Sequence, residues 1–308
     1  MPAAAPEPLR ALLTGSRRPS RLLGAGREAA YVVTDDGTVL ALLSAEAVRL
    51  PFGLVLAPGV GAPWRGLDAG AACTVGAGHV ELDVVPPSVS PSVSVSPSVS
   101  LSVSLSVTRW WRAPLPRRPQ SPGALARGLA TLAELLPACD DAPDVTGRPG
   151  LDPRLLGDGP GLTPYGDDVL AGRLLALHAA RRWRPATAGA LPAPAAGLPH
   201  HVVALLHLAE HRTTAVSAAC LRAAATGHGV PQVVALLDAV GGNGDVLRAL
   251  SGLLRVGHTS GHGLAVGVLT GLTSGTEAGD VRGASQCAPY AGTLGVRTPR
   301  RRPRRLPA

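Results

Sequence analysis

The chain has 308 residues, 45% hydrophobic, 16% charged and 3% aromatic, enough apolar material for one large or two medium domains. Its net charge is +8, but six arginines lie between Arg297 and Arg305, and the remainder carries about +2, which argues against a nucleic-acid-binding face on the body of the protein. Four widely spaced cysteines without a CxxC pair fit reduced thiols in a cytoplasm, Met1 to Arg10 lacks the basic-then-apolar pattern of a secretory signal, and no apolar run is suited to span a bilayer.

The N-terminal part reads as β-rich. Tyr31–Thr34 and Val39–Leu43 flank Asp35-Asp36-Gly37-Thr38, where Asp-Gly between apolar runs predicts a hairpin. A second pair is expected through Cys73–Val75 and Val80–Leu82, around Gly76-Ala77-Gly78. Pro86 to Val107 alternates Ser with Val and Leu. Its repeated Pro-Ser-Val units favour a disordered or loosely paired insertion over a functional strand ladder. From Ser121 the period becomes helical, with Leu125, Leu129, Leu132 and Leu136 recurring on one face. Further helices are expected over about 167–182, 201–226, 231–240, 245–256 and 261–272, separated by Pro/Gly-rich connections at 140–153 and 185–199. The expectation is an α+β protein. It has a flexible N-terminus (1–28), a β-rich N-terminal domain (29–120) with the insertion 86–107, a predominantly α-helical C-terminal domain (121–275) and an Arg-rich tail (276–308).

Three segments carry the groups for chemistry. The first is Gly157 to Asp168, with Gly159, Gly161, Thr163, Asp167 and Asp168, opening into a helix through Leu170 and Leu174. Glycines let backbone N–H groups approach a ligand, and a helix start favours an anion. No Gly-Lys-Ser/Thr follows, so this is no P-loop. Asp167 as an N-cap is the purely structural reading. The second, Gly257-His258-Thr259-Ser260-Gly261-His262-Gly263, repeats the design. Here His258 is a proton donor or shuttle, set against a simple helix start with Ser260 as N-cap. The third, Arg212-Thr213-Thr214 with Ser217, is expected inside one long helix, where a buried Arg212 beside the Thr213 hydroxyl suits a carboxylate. His207-Leu208-Ala209-Glu210-His211 matches an inverted zinc-protease pattern, but no third ligand is evident in the sequence, and no metal site is assigned to it.

Taken together, GDGPGLTPYGDDVLAG, RTTAVSAACL and VGHTSGHGLAVG resemble, in this order, the family of the AllH-type subunit of oxamate carbamoyltransferase, with the likeness running from about Tyr31 to Leu272. Tyr165 departs from the Ser usual in that family. The resemblance implies a part in anaerobic purine (allantoin) breakdown, where a multisubunit enzyme phosphorolyses oxalurate to oxamate and carbamoyl phosphate. On that reading His258 and Asp168 are the catalytic expectation. Gly159, Gly161, Thr163, Asp167, Arg212, Thr213, Thr259 and Ser260 are the substrate-binding one. Asp167 or Asp168 acts as acceptor or as a Mg2+ ligand, and other carbamoyltransferase subunits are the expected partners. The rival is a non-catalytic binder or sensor of a small carboxylate. A third reading, nucleic-acid binding through the Arg tail, predicts steep salt dependence.

Overall fold

The structure, a computed structural model, describes residues 1–84, 101–139, 145, 150–183 and 198–277. The greater part of the Ser-Val tract, most of the 140–149 and 184–197 connections and the Arg tail lie outside these residues. The fold is α+β, a β-barrel followed by helices. Among the described residues no helix is long and apolar enough to cross a membrane.

Eight strands close the barrel: β1 (Pro2–Pro6), β2 (Arg18–Ala25), β3 (Ala29–Thr34), β4 (Val39–Leu43), β5 (Gly53–Leu56), β6 (Ala72–Gly76), β7 (His79–Val84) and β8 (Leu101–Trp111), in the order β1-β5-β4-β3-β2-β6-β7-β8. β1 pairs in parallel with β8 to complete the ring, and β4 with β5 is the other parallel pair. Closure leaves no free edge. Alternate side chains fill the interior, among them Val32, Leu40, Leu54, Val80 and Leu105, all fully buried beside Trp64.

The expected hairpin is present. Asp36 fastens its turn, accepting from Thr34 Oγ1 (2.6 Å) and Thr38 N (3.0 Å), while Gly37 takes φ +80°. Those bonds, with Arg18 beside it, hold the Asp36 carboxyl at about 2. Both expected strand pairs form in register, Val32 opposite Leu40 and Val75 opposite Val80.

Two expectations fail here. The first residues belong to the barrel, since β1 and β2 lie within 1–28 and Met1 N donates to Ser104 O at 2.7 Å. The end of the Ser-Val tract is a strand: β8 begins at Leu101, burying Leu105 while Ser104 and Ser106 turn outward to His79 Nδ1 (3.2 and 3.1 Å). Alternation there has its ordinary half-buried meaning.

A short helix α1 (Arg10–Thr14) sits at the barrel, and the remaining helices follow β8: α2 (Pro122–Leu135), α3 (Tyr165–Trp183), α4 (His200–Arg212), α5 (Ala215–Ala225), α6 (Pro231–Asp238), α7 (Val246–Leu253) and α8 (Ser260–Glu277). α3 is the central helix, with every residue from Tyr165 to Ala176 buried. It runs parallel to α8 along a seam of small residues. A Cβ on Gly172 would stand 2.3 Å from Leu264 O, and one on Gly267 2.2 Å from Val169 O. Backbones that close admit only glycine, and the seam fixes the two helix starts side by side. The single helix expected over 201–226 is two. Thr213 ends α4, and Thr214 caps α5 by accepting from Ser217 N at 3.0 Å, so the chain turns at the segment expected to be mid-helix. α5 joins the two halves, since its Val216 and Ala219 are buried in the barrel's own core cluster.

Candidate functional site

The three chemistry-bearing segments converge. The α3–α8 seam places Asp168 against Gly263, and α5 starts beside them because Ser217 in its first turn bonds Asp167. Three helix N-termini thus meet behind the loop 157–163. Thr214 pins that loop, donating its hydroxyl to Leu162 O at 2.5 Å.

The adjacent carboxylates have opposite situations. Asp167, 1% exposed, uses both oxygens: Oδ1 accepts from Gly157 N (3.0 Å), and Oδ2 accepts from the hydroxyls of Thr213 and, at 2.7 Å, Ser217. Burial still raises its pKa, against the lowering effect of those three bonds. Asp167 therefore clamps the Gly-rich loop and the α4–α5 turn onto α3. It is the third residue of the helix, not its N-cap. Asp168, 6% exposed, has a buried Oδ2 with no hydrogen-bond partner. Burial, reinforced by the Asp167 charge and opposed by the neighbouring Ser260 and Thr163 hydroxyls, pushes its carboxyl up to about 7. Thr163 Oγ1 and Ser260 Oγ are 3.0 Å apart, so one of them donates to the other. The Ser260 side chain is thus turned to Thr163 in the site, and the Thr259 carbonyl accepts from Gly263 N at 3.0 Å as the helix starts.

Tyr165 recovers a hydroxyl contact despite its departure from Ser. Its Oη is 2.9 Å from His262 Nδ1, with the rings stacked at 5.8 Å. His262 Nε2 lies 2.8 Å from Pro137 O, which can only accept, so Nε2 carries a proton and donates it to that carbonyl. Burial, with smaller effects from Cys139 and Asp168, pushes the Tyr165 phenol up to about 12.

Asp168, Thr163 and Ser260 line a cavity of about 180 Å³ between the barrel and the helices. Its other walls come from Leu175 and Leu264 on the helices and from Tyr31, Leu50 and Pro51 on the barrel side. Cys220 and His228 also line it; burial pushes the Cys220 thiol up to about 12 and lowers the His228 pKa, leaving both uncharged at neutral pH.

The expected residues divide accordingly. Asp168, Thr163 and Ser260 meet at the cavity. Asp167 and Thr213 are consumed in the clamp. Gly159 (φ +118°) and Gly161 (φ +99°) shape the loop, with Gly159 packed against the Tyr165 backbone. Thr259 precedes α8. Arg212 is exposed, against the expectation of a buried arginine, and His258 is exposed; neither lines the cavity. His207, Glu210 and His211 are exposed on α4. Among the described residues no three His, Cys, Asp or Glu side chains are grouped to hold a metal. Of the two carboxylates expected to meet Mg2+, Asp167 is taken up by internal hydrogen bonds, which leaves Asp168 with the Thr163 and Ser260 hydroxyls as the available oxygens. Tyr31, Leu50, Cys220, His228 and His262 carried no local signal and enter only through the tertiary fold.

Fold and site thus describe an α+β protein with a small-molecule-sized cavity at the junction of a β-barrel and a helical part. Residues 155–272 match the family model for oxamate carbamoyltransferase subunit AllH, and over that stretch the chain resembles this family. The match takes in all three segments. It lies within the helical part and leaves out α2, where the likeness expected from the motifs ran from Tyr31. No characterised protein and no solved structure matches the chain at a significant level.

Proposed function

We propose that this chain is a subunit of a carbamoyltransferase that moves the carbamoyl group between oxamate and phosphate, the phosphorolysis of oxalurate to oxamate and carbamoyl phosphate in purine (allantoin) catabolism. The observation that carries this reading is a coincidence: the matched stretch 155–272 contains every helical residue that lines the cavity at Asp168. In the phosphorolytic direction a phosphate oxygen bonds to the carbamoyl carbon, the bond from that carbon to the oxamate nitrogen breaks, and the nitrogen takes a proton. Asp168 accepts carbamoyl N–H groups, with Thr163 and Ser260 beside it. The backbone at Gly159 and Gly161 and the exposed Arg212 face the anionic end, and His258 supplies the proton. Asp167 and Thr213 hold the loop in place. Other carbamoyltransferase subunits complete a hetero-oligomer in the cytoplasm.

The test is phosphate release from carbamoyl phosphate and oxamate by the purified chain with candidate partner subunits. Release that depends on this chain supports the reading, and none under any partner combination overturns it. The exposure of Arg212 and His258 favours one rival, a non-catalytic binder of a small carboxylate. A ligand-induced rise in melting temperature that survives Asp168→Asn and His258→Ala, without turnover, selects that rival.

A further inference from the structure

The cavity at Asp168 is built to discriminate, and its chemistry is narrower than the anion site suggested by three helix N-termini. None of its lining residues is an arginine, and burial lowers the His228 pKa. A phosphate or carboxylate group inside would meet the Asp168 carboxyl without a counter-charge, among Leu175, Val216, Val256 and Leu264. What Asp168 lacks is a donor to Oδ2. Its Oδ2 is buried without a partner, and of the two neighbouring hydroxyl protons one is taken up between Thr163 and Ser260. Size limits the occupant too. A cavity of about 150 Å³ holds a benzene ring, so one of about 180 Å³ holds a group of similar bulk.

We infer that this cavity receives the uncharged amide end of a small substrate, a –CO–NH2 or ureido group whose N–H atoms meet Asp168 beside Thr163 and Ser260, and that the barrel supplies its far wall through Tyr31, Leu50 and Pro51. The anionic end stays outside, towards the Gly-rich loop. The inference rests on the proposed carbamoyl reading for the identity of the substrate, and it adds which end of the molecule is buried and that the barrel is part of the recognition.

The experiment is calorimetric titration of the full chain at pH 8 with four small probes: oxamate, oxalate, inorganic phosphate and methylammonium. Oxalate replaces the amide NH2 of oxamate by an oxygen anion. Oxamate binding about tenfold or more tighter than oxalate or phosphate is expected. Asp168→Asn, which offers the amide an N–H in place of an acceptor oxygen, narrows that preference. Leu50→Trp, which fills the cavity from the half-buried barrel wall, abolishes oxamate binding with the circular dichroism spectrum intact. Equal binding of oxalate or phosphate, tighter binding of methylammonium, or oxamate binding that survives Leu50→Trp overturns the inference; if Asp168→Asn does not fold, Leu50→Trp and the probe series still decide. An amide preference without phosphate release under any partner combination supports the cavity assignment and sinks the transferase reading. Release by a chain with no amide preference does the reverse.

Discussion

Asp168→Asn should reverse part of the pH dependence of stability. The fold moves this carboxyl from 3.8 to about 7, so between those values the folded protein holds a proton that the unfolded chain has lost. Stability then falls as pH rises through that window and levels off above it, where both states are ionised. The full displacement corresponds to about 4 kcal/mol, because each pKa unit is worth about 1.4 kcal/mol. Asn cannot ionise and resembles the protonated acid. The variant should therefore match the parent near pH 4 and exceed it by about 2–4 kcal/mol at pH 8. Asp167 is coupled to Asp168 by charge, so the variant also eases ionisation of Asp167, which acts in the same direction. His178 and His228 remain in both proteins, while Tyr165 and Cys220 titrate only near 12. Urea unfolding of both proteins at half-unit steps from pH 4 to 8.5 reads the gap directly. Two parallel curves would refute the argument, since they would mean that Asp168 is ionised at no cost in the folded protein.

Asp167→Ala should cost about 3–5 kcal/mol, because it strands Gly157 N and the Thr213 and Ser217 hydroxyls, and chemical denaturation will show it. Gly172→Ala should cost about 2–4 kcal/mol by forcing its Cβ to 2.3 Å from Leu264 O, whereas Gly161→Ala, with φ +99° but open space, should cost only about 1 kcal/mol in the same assay. His258→Ala should leave stability within about 0.5 kcal/mol of the parent, since the side chain is exposed, while lowering carbamoyl transfer by about a hundredfold in the assembled enzyme. Equal losses of stability and turnover would make His258 structural.

The fold was legible where side-chain pattern and turn chemistry agree. Asp36-Gly37 and Gly76-Ala77-Gly78 each sit between apolar runs, and the two hairpins followed from them. β1 was not legible because Pro2–Pro6 offers small residues without alternation, and it becomes a strand only by pairing with β5 and β8, distant in sequence. The break between α4 and α5 was hidden by apolar spacing that continues through it. Its local signal was Thr214 three residues before Ser217, the spacing of an N-cap. Gly263, Gly267 and Gly271, four apart, announced a close helix contact, but nothing local says that the partner is α3. The loop groups of the site were visible for the same reason as the hairpins, as glycines and hydroxyls at helix starts. The cavity was not, because Tyr31 and Leu50 stand more than 100 residues from Asp168 along the chain.

Two neighbouring carboxylates at one helix start read as redundant in a sequence, and helical geometry explains why they are not. Successive residues on a helix are separated by about 100°, so Asp167 and Asp168 face different neighbours. One turns to α5 and meets an amide and two hydroxyls; the other turns to α8 and meets a glycine, Gly263, where a Cβ would stand 2.9 Å from its own. The glycine seam that draws α3 and α8 together therefore sets the environment of Asp168. It brings the carboxyl under the barrel wall and excludes water from Oδ2. A helix start favours negative charge by about 1 kcal/mol, too little to offset burial that lifts this carboxyl to about 7. Asp167 fastens the loop to α3, and that clamp keeps Asp168 buried although its Oδ2 has no partner. A ligand N–H that reached Asp168 would stabilise the ionised form and relieve the cost of burying it, so the proposed recognition of an amide and the lower stability expected at alkaline pH share one physical origin.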